Sequence, residues 1–209
     1  MGWGRPGGGR VLLAVLAALA ALALSPAGAT AARFFEVPRY VGAGGQYGTV
    51  ASGNPSIDGA RGPGFQVVFG SRLRDRYPLY FDMRIGGVFV DVGPTPEIAY
   101  PSDRADYAVM AIGGLWAFRK PGPRAWRPWV SLHGTYHNFN WRRFSYSIDG
   151  LGFSPGAGMD FHVPPLGLLR VGLMANFFSA TSLYDANSSG QSLLMSLDYL
   201  YVFGPRDER

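Results

Sequence analysis

Ser131 and His133 are separated by one residue, Leu132. On an extended strand that spacing puts a hydroxyl and an imidazole on one face, the arrangement in which an imidazole can take a proton from a nucleophilic serine. Such a pair needs a carboxylate to hold the ring, and the sequence assigns none to His133. His137 lies four residues further on, roughly 13 Å along a strand, so His133 and His137 cannot both reach one metal ion at about 2 Å. The second set that could do chemistry is ionic: Asp82, Arg84, Asp160, Arg170 and Asp198. Each falls on the small, polar side of an alternating stretch. Because an unpaired buried charge costs far more than a paired one, the five are expected to form one interior ion-pair network. That role is structural, and no catalytic, cofactor-binding or metal residue is assigned.

The elements that must position these groups show best in residues 150–163, GLGFSPGAGMDFHV. Its odd positions, Leu151, Phe153, Pro155, Ala157, Met159, Phe161 and Val163, are apolar. Its even positions, Gly150, Gly152, Ser154, Gly156, Gly158, Asp160 and His162, are small or polar. A period of two sustained over this length makes a strand with one oily and one polar face.

The pattern recurs, predicting strands over 39–50, 64–73, 78–92, 105–118, 127–140, 150–163, 167–180 and 191–203. Val41, Phe65, Phe81, Ile112, Leu132, Val171 and Leu197 represent the oily faces, and Gln46, Gln66, Asp82, His133, Arg170, Asn176 and Asp198 the polar ones. Near Gly86 and Gly87 the alternation falters, and a bulge with a register slip fits there. Between the strands, 51–63, 93–104, 141–149 and 181–190 have the glycine, proline and polar content of long loops. The connections after the second, fourth and sixth strands are shorter.

Before the first strand, Arg5 and Arg10 precede an apolar run from Val11 to Leu24, followed by Ser25-Pro26 and small residues to Ala32. A basic start, a short hydrophobic run and a small-residue exit predict a cleaved signal peptide over 1–32, leaving 33–209 as the mature domain. The apolar run is too short to cross a bilayer, and no later stretch is long enough to form a spanning helix. With no cysteine the chain has neither a thiol nucleophile nor a thiolate metal site, and its net charge of +5 comes without a basic run interleaved with aromatics. Nucleic acid is therefore not an expected partner. Only 16% of residues are charged, a deficit that lipid-facing surface explains.

Strands of this length can span a tilted barrel, and alternation of long loops with shorter turns matches a sheet that crosses a membrane. Phe81, Trp116, Phe118, Trp126, Phe161, Tyr201 and Phe203 fall near the turns, whereas Tyr47, Phe65, Phe89, Tyr136, Phe153 and Phe177 fall near the loops, as two interfacial girdles would.

The runs Tyr40-Val41-Gly42-Ala43-Gly44-Gly45-Gln46-Tyr47 and Pro155-Gly156-Ala157-Gly158-Met159-Asp160-Phe161, with a closing strand ending in Tyr199, Tyr201 and Phe203, resemble the small outer-membrane β-barrel superfamily of the OmpA/OmpX type. The resemblance implies an all-β, eight-stranded, antiparallel up-and-down barrel in the bacterial outer membrane. It also implies contact with outer-membrane lipid and lipopolysaccharide, and insertion by the barrel-assembly machinery. The bore is expected to be filled by side chains, with a structural or surface-recognition role exercised through the four loops. No cofactor is expected. Two other readings carry distinct expectations. A lipid A deacylase would use Ser131 and His133, and a soluble lipocalin-like barrel would invert the faces, polar outside and apolar within.

Overall fold

The computed structural model describes residues 39–53, 57–74, 77–92, 103–118, 126–141, 146–163, 167–181 and 188–203. The predicted signal segment 1–32, the tail 204–209, residues 93–102 of the predicted loop 93–104 and residues 182–187 of the predicted loop 181–190 lie outside the described residues. The strands are β1 (Arg39–Ser52), β2 (Arg61–Arg74), β3 (Tyr77–Val92), β4 (Asp103–Ala117), β5 (Trp126–Trp141), β6 (Tyr146–Val163), β7 (Gly167–Thr181) and β8 (Ser188–Phe203). Each pairs antiparallel with its sequence neighbours, and β8 pairs with β1, so the sheet is a closed barrel without a free edge strand.

The register fixes the cylinder's geometry. Following paired residues from Val41 through Phe69, Met83, Ile112, Gly134, Phe153, Phe177 and Gln191 leads back to β1 at Ala51, ten residues beyond the start. A stagger of that size around eight strands tilts them by about 40° from the barrel axis.

One parity of every strand faces outward and is apolar over a continuous belt. Val41, Phe65, Ile112, Val130, Leu132, Leu151, Val171, Leu173, Met195 and Leu197 are exposed along it. Exposed aromatics collect towards its two margins. Tyr77, Trp116, Phe118, Trp126, Phe161 and Tyr201 lie at the end where β1 begins, here the turn end. Tyr47, Phe65, Phe89, Tyr136, Phe153 and Phe177 lie towards the opposite, loop end. On β3, Tyr77 and Phe89 mark the two margins, about 30 Å apart along the axis, close to the height of an outer-membrane lipid belt. So large an apolar surface on a closed barrel is a lipid surface, which overturns the lipocalin-like alternative of a polar exterior.

Three sequence expectations are corrected. First, no slip occurs at Gly86 and Gly87. The β2–β3 register is continuous from Gly64↔Val88 to Arg72↔Tyr80, and the irregularity lies between Arg72 and Arg74. Val88 and Val90 belong to the inward parity and are buried, so what looks like a change of face is a change in what the bore contains. Second, 141–149 is not a long loop. β5 and β6 stay paired to Trp141↔Tyr146, with Ile148 and Phe139 buried inward, which leaves only 142–145 between the strands. The alternation of long and short connections is broken there. Third, the 51–63 segment is not all solvated loop. β2 begins at Arg61, and Ile57 and Ala60 are 0% exposed, packed with the inward residues of the loop end. Val50 donates to the Ala60 carbonyl and Gly59 to the Val50 carbonyl, and Gly59 takes φ 72°, so a tight turn folds back over the mouth.

Inward glycines let side chains cross from one strand to the next but one. At Gly44 a β-carbon would lie 2.1 Å from the Leu197 carbonyl oxygen and 2.3 Å from Asp198 Oδ1. Gly44→Val is therefore expected to lower barrel stability by about 1–3 kcal/mol or more through overpacking. Urea unfolding in lipid vesicles, followed by the different gel migration of folded and unfolded barrel, checks this.

Candidate functional site in the barrel interior

The bore is layered, and its charged layer occupies the turn-end half. Its geometry follows two rows of the register. Along one row, Arg127, Asp160, Arg170 and Asp198 are successive partners on β5, β6, β7 and β8, an alternation of charge across four strands. The row continues through Gly44 to Gln66. Along the other, Tyr40, Gly70, Asp82, Gly113, His133 and Ser154 follow one another from β1 to β6. Where a glycine stands, its neighbours on either side meet over it.

Arg170, fully buried, joins the rows. Its Nε donates to Asp160 Oδ1 at 2.7 Å, Nη2 to Asp160 Oδ2 at 3.1 Å and Nη1 to Asp82 Oδ1 at 3.3 Å. Its guanidinium also stacks 4.6 Å from the centre of the Tyr40 ring and 5.3 Å from that of Trp129. Arg127 Nη2 donates to Asp160 Oδ2 at 2.6 Å. Arg84 Nε and His133 Nε2 converge on Asp82 Oδ2 at 2.7 and 2.9 Å, while the Tyr40 hydroxyl crosses Gly70 to donate to Asp82 Oδ1. Asp82 and Asp160 are thus each held by several donors, which is what keeps a carboxylate tolerable away from water.

Of the five residues singled out in the sequence, Asp82, Arg84, Asp160 and Arg170 meet in this cluster. Asp198 does not share an ion pair with them among the described contacts. Although Arg170 is its register partner, its two carboxylate oxygens accept from Gln66 Nε2 at 2.8 Å each across Gly44, and Ser196 Oγ donates at 3.3 Å. Sequence reasoning missed Arg127, Tyr40 and Gln66, which are inward by parity but become partners only through the stagger. It also left His133 without an acid. Asp82 is that acid, on a strand far away in the chain.

This acid does not complete a lipid-cleaving site. Ser131 Oγ has no hydrogen-bond partner among the described residues, and Ser131 and His133 are buried on the bore face, whereas Leu132 between them is 61% exposed on the lipid face. An acyl ester in the membrane meets Leu132, not the hydroxyl. Among the described residues no group of three His, Cys, Asp or Glu could hold a metal ion.

Above the charged layer lies a hydroxyl layer. The Tyr107 hydroxyl bonds to His137 Nδ1 and to Ser192 Oγ, both at 2.8 Å, Thr135 Oγ1 lies 2.8 Å from His137 Nε2, and Asn176 Nδ2 donates to Ser192 Oγ at 2.8 Å. The Tyr107 ring stacks on Phe139 at 4.2 Å between centres, and His137 on Phe178 at 4.4 Å. Above it, Val50, Val88, Val90, Ala105, Phe139, Ile148 and Phe178 form an apolar plug with Ile57 and Ala60 laid over it. The expectation of a uniformly polar bore is therefore corrected. Polar groups concentrate in the charged and hydroxyl layers, and a second apolar cluster, Val68, Leu115, Ala117, Trp129 and Leu200, packs beside the charged layer in the turn-end half.

No family model matches the sequence, and no curated protein sequence matches it. Solved structures do match the fold. Neisserial surface protein A superposes with a TM-score of 0.59 at 16% identity, over 78% of this chain and 96% of that one. The outer membrane protein OprG from Pseudomonas aeruginosa does so with a TM-score of 0.53 at 10% identity, over 81% of this chain and 97% of that one. Closure in eight strands, a lipid-facing belt with aromatic margins and these likenesses converge: the chain has the fold of the small outer-membrane β-barrels.

Proposed function

We propose that the protein is a non-conducting outer-membrane barrel whose role is structural or one of surface recognition, exercised at its loop end. The observation that carries this reading is the sealed bore. Ions entering from the turn end meet a layer of fixed ion pairs, and beyond it the apolar plug under Ile57 and Ala60 offers no polar path. An eight-stranded barrel has little interior to spare, and inward side chains from all eight strands are buried in it. Its partners in this reading are outer-membrane lipid and lipopolysaccharide around the belt, the barrel-assembly machinery during insertion, and a ligand at the connections between β1 and β2, β3 and β4, β5 and β6, and β7 and β8. A rigid cylinder holding variable segments on one rim is a common way to place recognition outside a membrane.

The test is conductance in planar bilayers with the refolded barrel. The expected record has no stable single-channel steps at neutral pH. A reproducible ion-selective channel in the unmodified protein would refute the sealed-bore reading. A variant with both Phe139→Ala and Phe178→Ala, which thins the plug, serves as a positive control for the recording.

A further inference from the structure

Between the charged and hydroxyl layers, buried polar atoms gather without protein partners: Arg84 Nη2, Ser131 Oγ, His133 Nδ1, Ser154 Oγ and Asn176 Oδ1. Side-chain contacts and strand register tie them to one level of the bore. Arg84 and His133 share Asp82 Oδ2, and Arg84 Nη1 reaches Met174 Sδ at 3.2 Å. A β-carbon at Gly156 would touch both Ser131 Oγ, at 2.7 Å, and Met174 Cγ, at 3.1 Å, so that glycine, the serine and the methionine adjoin. Ser131 is opposite Gly156, and His133 opposite Ser154.

The backbone is interrupted at the same level. The β6–β7 ladder is paired at Phe153↔Phe177 and again at Gly156↔Met174, but not at Ser154 and Pro155 opposite Ala175 and Asn176. Pro155 has no N–H to give to the ladder, which fits the gap in pairing beside Ser154 and Asn176.

We propose that this level is a hydration site, in which ordered water bridges Arg84, Ser131, His133 and Ser154 below to Asn176 above. The chemistry of the lining selects the ligand. Arg84 Nη2 can only donate, Asn176 Oδ1 can only accept, and the two hydroxyls can do either. With Nε2–H donated to Asp82, His133 Nδ1 is an acceptor. An anion cannot serve the two acceptors and a cation cannot serve the arginine, whereas water serves both. Buried water is typically held by two to four such groups. Through it the charged layer would be joined by hydrogen bonds to Asn176, Ser192, Tyr107 and His137, making one connected polar core beneath the apolar plug.

The test uses the refolded, isotope-labelled barrel in lipid nanodiscs and reads magnetisation transfer from long-lived water to the Arg84 guanidinium protons. The expected result is a direct contact from slowly exchanging water, lost when Ser131→Val and Ser154→Val together fill the site with methyl groups. Absence of that contact in the unmodified protein overturns the proposal. So does a saturable shift of the Arg84 signals on titrating chloride against a constant ionic strength, which would make the ligand an anion. Should the double variant fail to refold, Ser154→Ala gives an independent readout. A urea midpoint below that of the unmodified barrel supports a bridged hydroxyl, and one equal or higher refutes it, because deleting an orphaned buried hydroxyl relieves a penalty.

Discussion

Arg170→Leu is expected to destabilise the barrel by about 3–5 kcal/mol, the cost of leaving buried charge without its partner. Among the described residues, Arg170 is the one side chain that bonds both Asp82 and Asp160. Removing it leaves Asp160 with Arg127 and leaves Asp82 with Arg84, His133 and Tyr40. Neither carboxylate can turn to water, since both are buried. Lysine does not substitute fully, because the bond to Asp160 uses two nitrogens of one planar fork and an ammonium cannot span both oxygens in that way. Arg170→Lys should therefore fall between the unmodified protein and Arg170→Leu. Combining Arg170→Leu with Asp160→Leu removes the bidentate pair as a unit and should recover part of the loss, even though Arg127 then loses its acid. Urea midpoints in vesicles measure all three. A loss under about 1 kcal/mol for Arg170→Leu would mean that the ion pairs are incidental to the fold.

The strands were legible in the sequence because alternation is a local property. From Phe153 to Phe161 or from Leu193 to Phe203, every second side chain declares its face without reference to any other strand. For the same reason Asp82, Arg84, Asp160, Arg170 and Asp198 could be assigned to one interior. What parity cannot supply is height. The partnership of His133 with Asp82 across Gly113 depends on the registers of two successive hairpins, and that of Asp198 with Gln66 across Gly44 exists only because the sheet closes with a stagger of ten residues. No single strand encodes that offset. The alternating row Arg127, Asp160, Arg170 and Asp198 was partly within reach, since β5, β6, β7 and β8 are sequential hairpins. It required hairpin registers that residues 142–145 and 182–187 do not announce. The misreadings share one assumption, that an inward residue must be polar. Val88 and Val90 on β3, and Phe139 and Ile148 at the end of the β5–β6 hairpin, are inward and apolar because the loop-end bore is a hydrophobic plug. Where both faces of a strand are oily, period two disappears and a regular strand resembles a slip or a loop.

The outer face makes the complementary prediction. Val171 lies on the lipid face of β7 between Met159 of β6 and Leu197 of β8, and is 44% exposed among apolar neighbours in the span between the aromatic margins. Val171→Arg is expected to cost about 2–4 kcal/mol, the range for a cationic side chain near the midplane of an outer-membrane barrel. Some of the penalty is avoidable, because an arginine can bend its stem toward an interface and thin the lipid around it. The same substitution nearer the margin should therefore cost less. Tyr201→Arg, at the turn-end girdle, is expected at about 1 kcal/mol or below. The gradient distinguishes lipid from water. If this surface faced an aqueous phase, arginine would be tolerated equally at both sites or would improve solubility. If it packed against another protein, the loss would follow contact rather than depth. Equilibrium unfolding into urea from vesicles of matched thickness, with Leu132→Arg on β5 as a third point a quarter-turn around the cylinder, measures the profile. Equal costs at Val171 and Tyr201 would refute a membrane-spanning belt.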